Sequence, residues 1–259
     1  MNEVLYEKKS HIVYITMNRP EKLNAINGEL NNALNSAVDR YSADNEAWCA
    51  IVTGAGRAFS TGADLAWVLK LTLEEENGLQ KMIDAGFLHQ PFRDCPKPII
   101  AAVNGYCLAS AFTIAVMCCD FRIASERAVF GLPDVKWGRS APYHFPAWLY
   151  MTLGDAAYLA FTGKEINAEE ALRMRLVTEV VPHDKLMDRT TEIAELICEN
   201  GPLGIRYTKI YTQTVLGILG ADWGDKLAAL LSRQTAYSED LKEGLNAFLE
   251  KRKPQWKNK

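Results

Sequence analysis

The stretch Ile51–Leu65, IVTGAGRAFSTGADL, constrains this chain most. Its β-branched apolar opening, Ile51-Val52-Thr53, reads as a buried strand. Gly54 and Gly56 interrupt the run, and Ser60-Thr61-Gly62-Ala63-Asp64 leads into a helical pattern. A strand that ends in a small-residue turn before a helix leaves backbone N–H groups unpaired at the helix start. With the helix dipole, those groups can hold an anionic oxygen. Two familiar loops are excluded: Phe59 stands where a dinucleotide loop needs its third glycine, and there is no G-x-x-x-x-G-K-[ST]. Alone, the stretch reads equally well as a surface turn without chemistry.

A second copy of the pattern changes that balance. Ile99–Val103 is a fully apolar strand, Asn104–Ser110 a small-residue turn, and Ala111–Cys119 an apolar helix expected to be buried all round. Two such units side by side would aim two helix starts at one point. Before them, Leu5–Lys8 and Ile12–Met17 read as short strands, Asn18-Arg19-Pro20 as a turn, and Gly28–Ala43 as a one-faced helix. Glu74–Arg93 reads as helical, and Phe121–Ala124 and Ala128–Phe130 as short strands. Pro142–Met151, Ala156–Thr162 and Ala168–Met174 read as helices, Leu176–Val181 as a strand and Leu186–Asn200 as an amphipathic helix. Gly201-Pro202 marks the best boundary. It separates an α/β core, 1–200, from a tail, 201–259, with helices at Ile205–Leu219, Asp225–Ala236 and Glu239–Arg252.

A chain of 259 residues with 48% hydrophobic content can bury one large core. A net charge of −3 gives no reason to expect a nucleic-acid or membrane partner. No apolar run has the length of a membrane span, and MNEVLYEKKSH carries no secretory signal pattern. The six cysteines form no C-x-x-C and have no zinc-finger spacing. They read as small core residues in a reducing, cytoplasmic compartment, with no metal expected.

Seven stretches in order then resemble the crotonase superfamily, the enoyl-CoA hydratase and isomerase family. They are MNRPEKLNAIN at 17–27, TGAGRAFSTGADL at 53–65, KPIIAAVNGYCL at 97–108, CDFRIASERAVFGLPDVKWG at 119–138, FTGKEINAEEAL at 161–172, LVTEVVP at 176–182 and EGLNAFLEKRKPQW at 243–256. The resemblance implies a spiral of repeated β-β-α units with a C-terminal helical region that forms a trimer or hexamer. It implies a CoA-thioester substrate and no separate cofactor, because coenzyme A is part of the substrate. The backbone N–H groups of Ala63 and Ser110 would bind the thioester oxygen as it becomes an enolate. Backbone donors suit that task because they are aligned beforehand. By the same resemblance Glu21, Lys22, Leu23 and Ala25, with Asp64, Leu65 and Ala66 after Ala63, would clamp the CoA moiety. Lys251 would meet phosphates, unless it is only a solvated helix end.

The chain also departs from the family. Hydratases there bracket the substrate with two glutamates, and those positions fall here on Thr113 and Asp134. Thr113 cannot be a general base and is expected to cap, pack or hydrogen-bond within its helix. Asp134 would then be the catalytic carboxylate, or else a loop residue paired with Lys136 or Arg139. Tyr143 and His144 replace a glycine-rich helix start and would lie near the acyl pocket, where His144 would offer a second acid/base group. Trp67 and Trp137 either line that pocket or pack in the core. Arg175 stands where a helix-ending glycine is usual. Three readings follow: water addition or removal with a single carboxylate, double-bond isomerisation, or binding of acyl-CoA without catalysis. Thioester hydrolysis and C–C cleavage also occur on this scaffold.

Overall fold

The computed structural model describes residues 2–74, 90–139, 151–218 and 238–256. Its strands are β1 Val4–Lys9, β2 Ile12–Met17, β3 Cys49–Gly54, β4 Ala58–Ser60, β5 Ile99–Val103, β6 Tyr106–Leu108, β7 Phe121–Ser125, β8 Val129–Gly131, β9 Glu165–Asn167 and β10 Glu179–Val181. They form a six-stranded sheet, β1-β2-β3-β5-β7-β10, and a four-stranded sheet, β4-β6-β8-β9. Among the described residues, only the β1–β2 and β8–β9 pairs are antiparallel.

The spiral is visible in this order. β3 and β4, β5 and β6, and β7 and β8 are successive pairs, each giving one strand to each sheet. A helical segment follows each short strand: Leu65–Glu74, then Ser110–Cys118, then Pro133–Trp137. β3 and β5 are buried on both faces, which is why they read as continuous apolar runs. Val13, Ile15, Val52, Ala101 and Val103 join the main core with Leu30, Leu34 and Tyr41 of the helix Gly28–Ala43. On the other face, Ile12, Cys49, Ile51, Ile100 and Ile123 pack with Leu186 and Ala194 of the helix Leu186–Cys198.

Several boundaries differ from the sequence reading. β4 and β6 lie inside stretches that read as turns, and β9 was not foreseen, because three residues carry almost no periodic signal. The helix expected at Ala111–Cys119 is α-helical only over Ser110–Thr113. It continues as a π turn over Ile114–Cys118, where the Cys119 N–H reaches back to the Ile114 carbonyl. The strand expected from Leu176 starts at Glu179, and Arg175 before it takes φ +60°, the left-handed value expected of a glycine substitute. The tail helix starts at Pro202, a residue suited to a first helical turn, and the last runs Glu239–Leu249. The helices expected over 142–150 and 225–236, and most of Glu74–Arg93, lie outside the described residues.

Candidate active site

Three neighbouring parallel strands, β4, β6 and β8, end side by side, and the residues after each end carry the candidate chemistry. Leu108 pairs with Gly131, and the Ala109 N–H donates to the Gly131 carbonyl at 3.0 Å, so the second and third turns are bonded directly. The first turn meets the second at Gly62. A Cβ there would lie 2.8 Å from the Ala109 Cβ and 3.1 Å from the Ser110 nitrogen. Ala63, Ser110 and Asp134 are thereby gathered at one edge of the small sheet.

The Ala63 N–H is exposed by local hydrogen bonding. Ala63 forms an isolated parallel bridge with Ile26. Gly62 O accepts the Ile26 N–H at 2.7 Å, and the Asp64 N–H donates to Ile26 O at 2.9 Å. Such a bridge uses the groups before and after the bridged residue, so the N–H of Ala63 points the other way. It donates to no group among the described residues. Ser110 is the first residue of its helix, and its N–H likewise finds no acceptor among the described residues. Ala109 before it takes φ +51°, ψ −123°. For a residue with a Cβ this is a strained value, of the kind that persists where the surrounding structure enforces it. The hydrogen bond to Gly131 O is part of that enforcement.

Asp134 lies in the short 3₁₀ helix Pro133–Trp137 and is 4% exposed. Aspartate is rarely this buried, so a carboxylate is being kept from water here. The Lys136 stem rests against Gly163, and Arg139 donates its backbone N–H to the Asp134 carbonyl. The last helix, Glu239–Leu249, closes over this segment. A Cβ on Gly138 would lie 2.7 Å from the Asp240 carbonyl oxygen, and one on Gly244 would lie 2.4 Å from that of Trp137. The Trp137 ring meets Phe248 edge-on at 5.9 Å. Trp137 thus seats the last helix. Trp67 lies with its ring against Gly28, in the first turn of the helix Gly28–Ala43, and packs on the main core.

The segment before Ile26 is a tight knot. Pro20–Lys22 forms a 3₁₀ turn with Glu21 and Lys22 exposed and Leu23 and Ala25 half-buried. Leu23 and Asn24 both take left-handed φ values, +52° and +54°. Asn24 is fully buried. Its amide donates to Ala55 O at 2.9 Å and Ala58 O at 2.8 Å, and its oxygen accepts the Arg19 N–H at 2.8 Å. Arg19 pairs with Glu3 at 3.2 Å and with Asp64 at 3.4 Å. Asp64 also accepts the Trp67 N–H, capping the helix that Leu65 begins and Ala66 continues in the open. From the second turn, Asn104 donates to the carbonyls of Gly54 and Gly56, both at 2.9 Å.

Arg19, Asn24, Ser60 and Asn104 were not singled out from the sequence. The available signal was a set of polar residues set among apolar ones, as in LNAI and VNGY. Thr113 is half-buried at the junction with the π turn, and its backbone N–H donates to Ala109 O at 3.3 Å. Lys251 is exposed just past the last helix, at φ +53°. Tyr143 and His144 lie outside the described residues. Among the described residues no cluster of His, Cys, Asp or Glu is arranged to hold a metal, and no helix is long and apolar enough to cross a membrane. Burial pushes the Cys49, Cys107 and Cys119 thiols up, away from the reactive thiolate.

Comparison with known proteins identifies the family. Residues 7–259 match the family described as enoyl-CoA hydratase/isomerase. The chain is 35% identical to a probable mitochondrial enoyl-CoA hydratase of Dictyostelium discoideum, over 98% of this chain and 90% of that one. It is 36% identical to a mevalonyl-coenzyme A hydratase of Aspergillus fumigatus, over 95% and 92%. The crystal structure of a carnitinyl-CoA hydratase from Mycobacterium avium superposes with a TM-score of 0.86 at 31% identity, covering 100% of both chains. The chain belongs to the enoyl-CoA hydratase/isomerase family of the crotonase superfamily and is an acyl-CoA-processing enzyme of that type.

Proposed function

We propose that this enzyme adds water to, or removes it from, the double bond of an acyl-CoA through a thioester enolate. The observation that carries this reading is the convergence of Ala63, Ser110 and Asp134 at the ends of β4, β6 and β8. The two N–H groups would accept charge on the thioester oxygen, where prealigned donors act without reorganising. Asp134 would carry the proton to or from the α-carbon, or direct water to the double bond. The knot at Glu21–Ala25 and the helix start at Asp64–Ala66 would hold the CoA moiety, with Lys251 toward its phosphates.

Thr113 favours a second reading, double-bond isomerisation. It stands where the family's first acid would be, and one carboxylate alone can move a proton between two carbons. A panel of acyl-CoAs followed by mass spectrometry separates the readings. A mass gain or loss of one water supports the first, and a changed double bond at constant mass supports the second. Release of free CoA, or binding without any product, overturns both.

Assembly as a trimer or hexamer is part of the same proposal. Leu203, Tyr207, Ile210 and Tyr211 repeat at helical spacing and are exposed on one face of Pro202–Ile218. Six free thiols, of which Cys198 alone is not fully buried, support a reducing compartment such as the cytoplasm.

A further inference from the structure

Among the described residues, every backbone N–H from Thr61 to Asp64 finds an acceptor except that of Ala63. The Thr61 N–H donates to Leu23 O at 3.2 Å, the Gly62 N–H to Ser60 Oγ at 3.1 Å, and the Asp64 N–H to Ile26 O at 2.9 Å. One side-chain group takes part in this frame, the hydroxyl of Ser60. Ser60 is fully buried at the end of β4, and its O–H donates to the Asn24 carbonyl at 2.7 Å. That carbonyl is itself fixed, because the Asn24 side chain is held by Ala55, Ala58 and Arg19.

Gly62, at φ +86°, is the residue about which the turn could rotate. Rotation there would swing the peptide that carries the Ala63 N–H. The bond to Ser60 fixes the peptide before Gly62, and the bond from Ile26 fixes the one after it. We infer that Ser60 is a positioning residue: its hydroxyl links the Asn24 knot to the Gly62 hinge and so aims the Ala63 N–H at the thioester oxygen. This inference rests on the oxyanion role proposed for Ala63. A serine that only satisfied buried groups would affect stability alone. A serine that aims the donor affects how strongly a bound carbonyl is polarised.

The test uses a chromophoric enoyl-CoA whose double bond is conjugated to an aminophenyl ring. Its absorption moves to the red when its carbonyl is polarised by hydrogen bonds. Wild type, Ser60→Ala, Ser60→Cys and Tyr41→Phe are compared. Tyr41→Phe removes another buried hydrogen bond, from the Tyr41 hydroxyl to Pro98 O, away from the turn. Ser60→Ala should lose at least half of the red shift and lower kcat about tenfold, with KM little changed. That is less than the ~10²–10³-fold expected from losing a donor outright. Tyr41→Phe should lower Tm and keep the full red shift. Ser60→Cys, with a weaker donor of similar size, should fall between wild type and Ser60→Ala, and it serves alone if Ser60→Ala does not fold. A full red shift in the Ser60 variants overturns the positioning role while the oxyanion reading stands. No red shift in wild type overturns the oxyanion reading and this inference with it.

Discussion

Gly62 and Ser110 approach so closely that the two turns share one contact. A Cβ on Gly62 would lie 3.1 Å from the Ser110 nitrogen and 2.7 Å from the Leu108 carbonyl oxygen. Gly62 also takes φ +86°. Gly62→Ala therefore meets backbone on one side and a left-handed conformation on the other. The conformation alone costs about 1–3 kcal/mol. Each kcal/mol lowers Tm by about 2–4 °C in a chain of this size. Thermal unfolding and turnover, measured together, should both fall. Unchanged turnover in a folded variant would place the donors elsewhere.

Asp134→Asn keeps the shape of the buried side chain and removes its base. Turnover should fall by roughly 10²–10⁴-fold, the usual worth of a positioned acid or base. Affinity for a CoA thioester should change little, because the proposed CoA contacts and backbone donors are untouched. Thr113→Glu is the complement. It should raise water addition if the reaction is a hydration and should give an isomerase nothing. Steady-state kinetics on the substrate found by the acyl-CoA panel decides both points.

The last helix holds the segment that carries Asp134. A Cβ on Gly244 would lie 2.4 Å from the Trp137 oxygen and 2.5 Å from its carbonyl carbon, with no flexible side chain to yield. Gly244→Ala should lift the helix, lowering Tm and kcat together. Gly204→Ala in the helix Pro202–Ile218 is the contrast, because a Cβ there meets nothing within 4 Å. Replacing a helical glycine at an open site should add about 0.5–1 kcal/mol of stability. Differential scanning calorimetry of the two variants should show shifts of opposite sign.

Buried thiols give a pH prediction. Burial raises Cys49, Cys107 and Cys119 above the ordinary thiol value of 9.0. Below that value the thiols are protonated whether the chain is folded or not, and their contribution to stability is fully present. Above it the unfolded chain releases protons that the folded chain keeps, so stability falls as pH rises. Tyr41, raised well above 10.0 mainly by burial, adds to the loss at higher pH. Unfolding midpoints should decline from pH 9 upward. At neutral pH an alkylating reagent should label the native protein at Cys198 at most, and all six sites once it is unfolded. Rapid native labelling of Cys49 or Cys107 would contradict this burial.

What the sequence determined by itself was local and ordered. β3 and β5 were legible because strands buried on both faces are apolar without interruption, and the helix Gly28–Ala43 because its apolar face repeats every turn. The order of seven stretches carried the family, and position within them carried Ala63, Ser110 and Asp134. Tertiary structure alone decided that β4 and β6 are strands and that the ends of β4, β6 and β8 adjoin. It also decided that Trp137 seats the last helix, and that Ser60 and Asn24, 36 residues apart, tie one turn to a distant knot. The physical reason is that periodicity records which face of an element is buried. A hydrogen bond between remote residues depends on where the chain returns, and it leaves no period in the sequence.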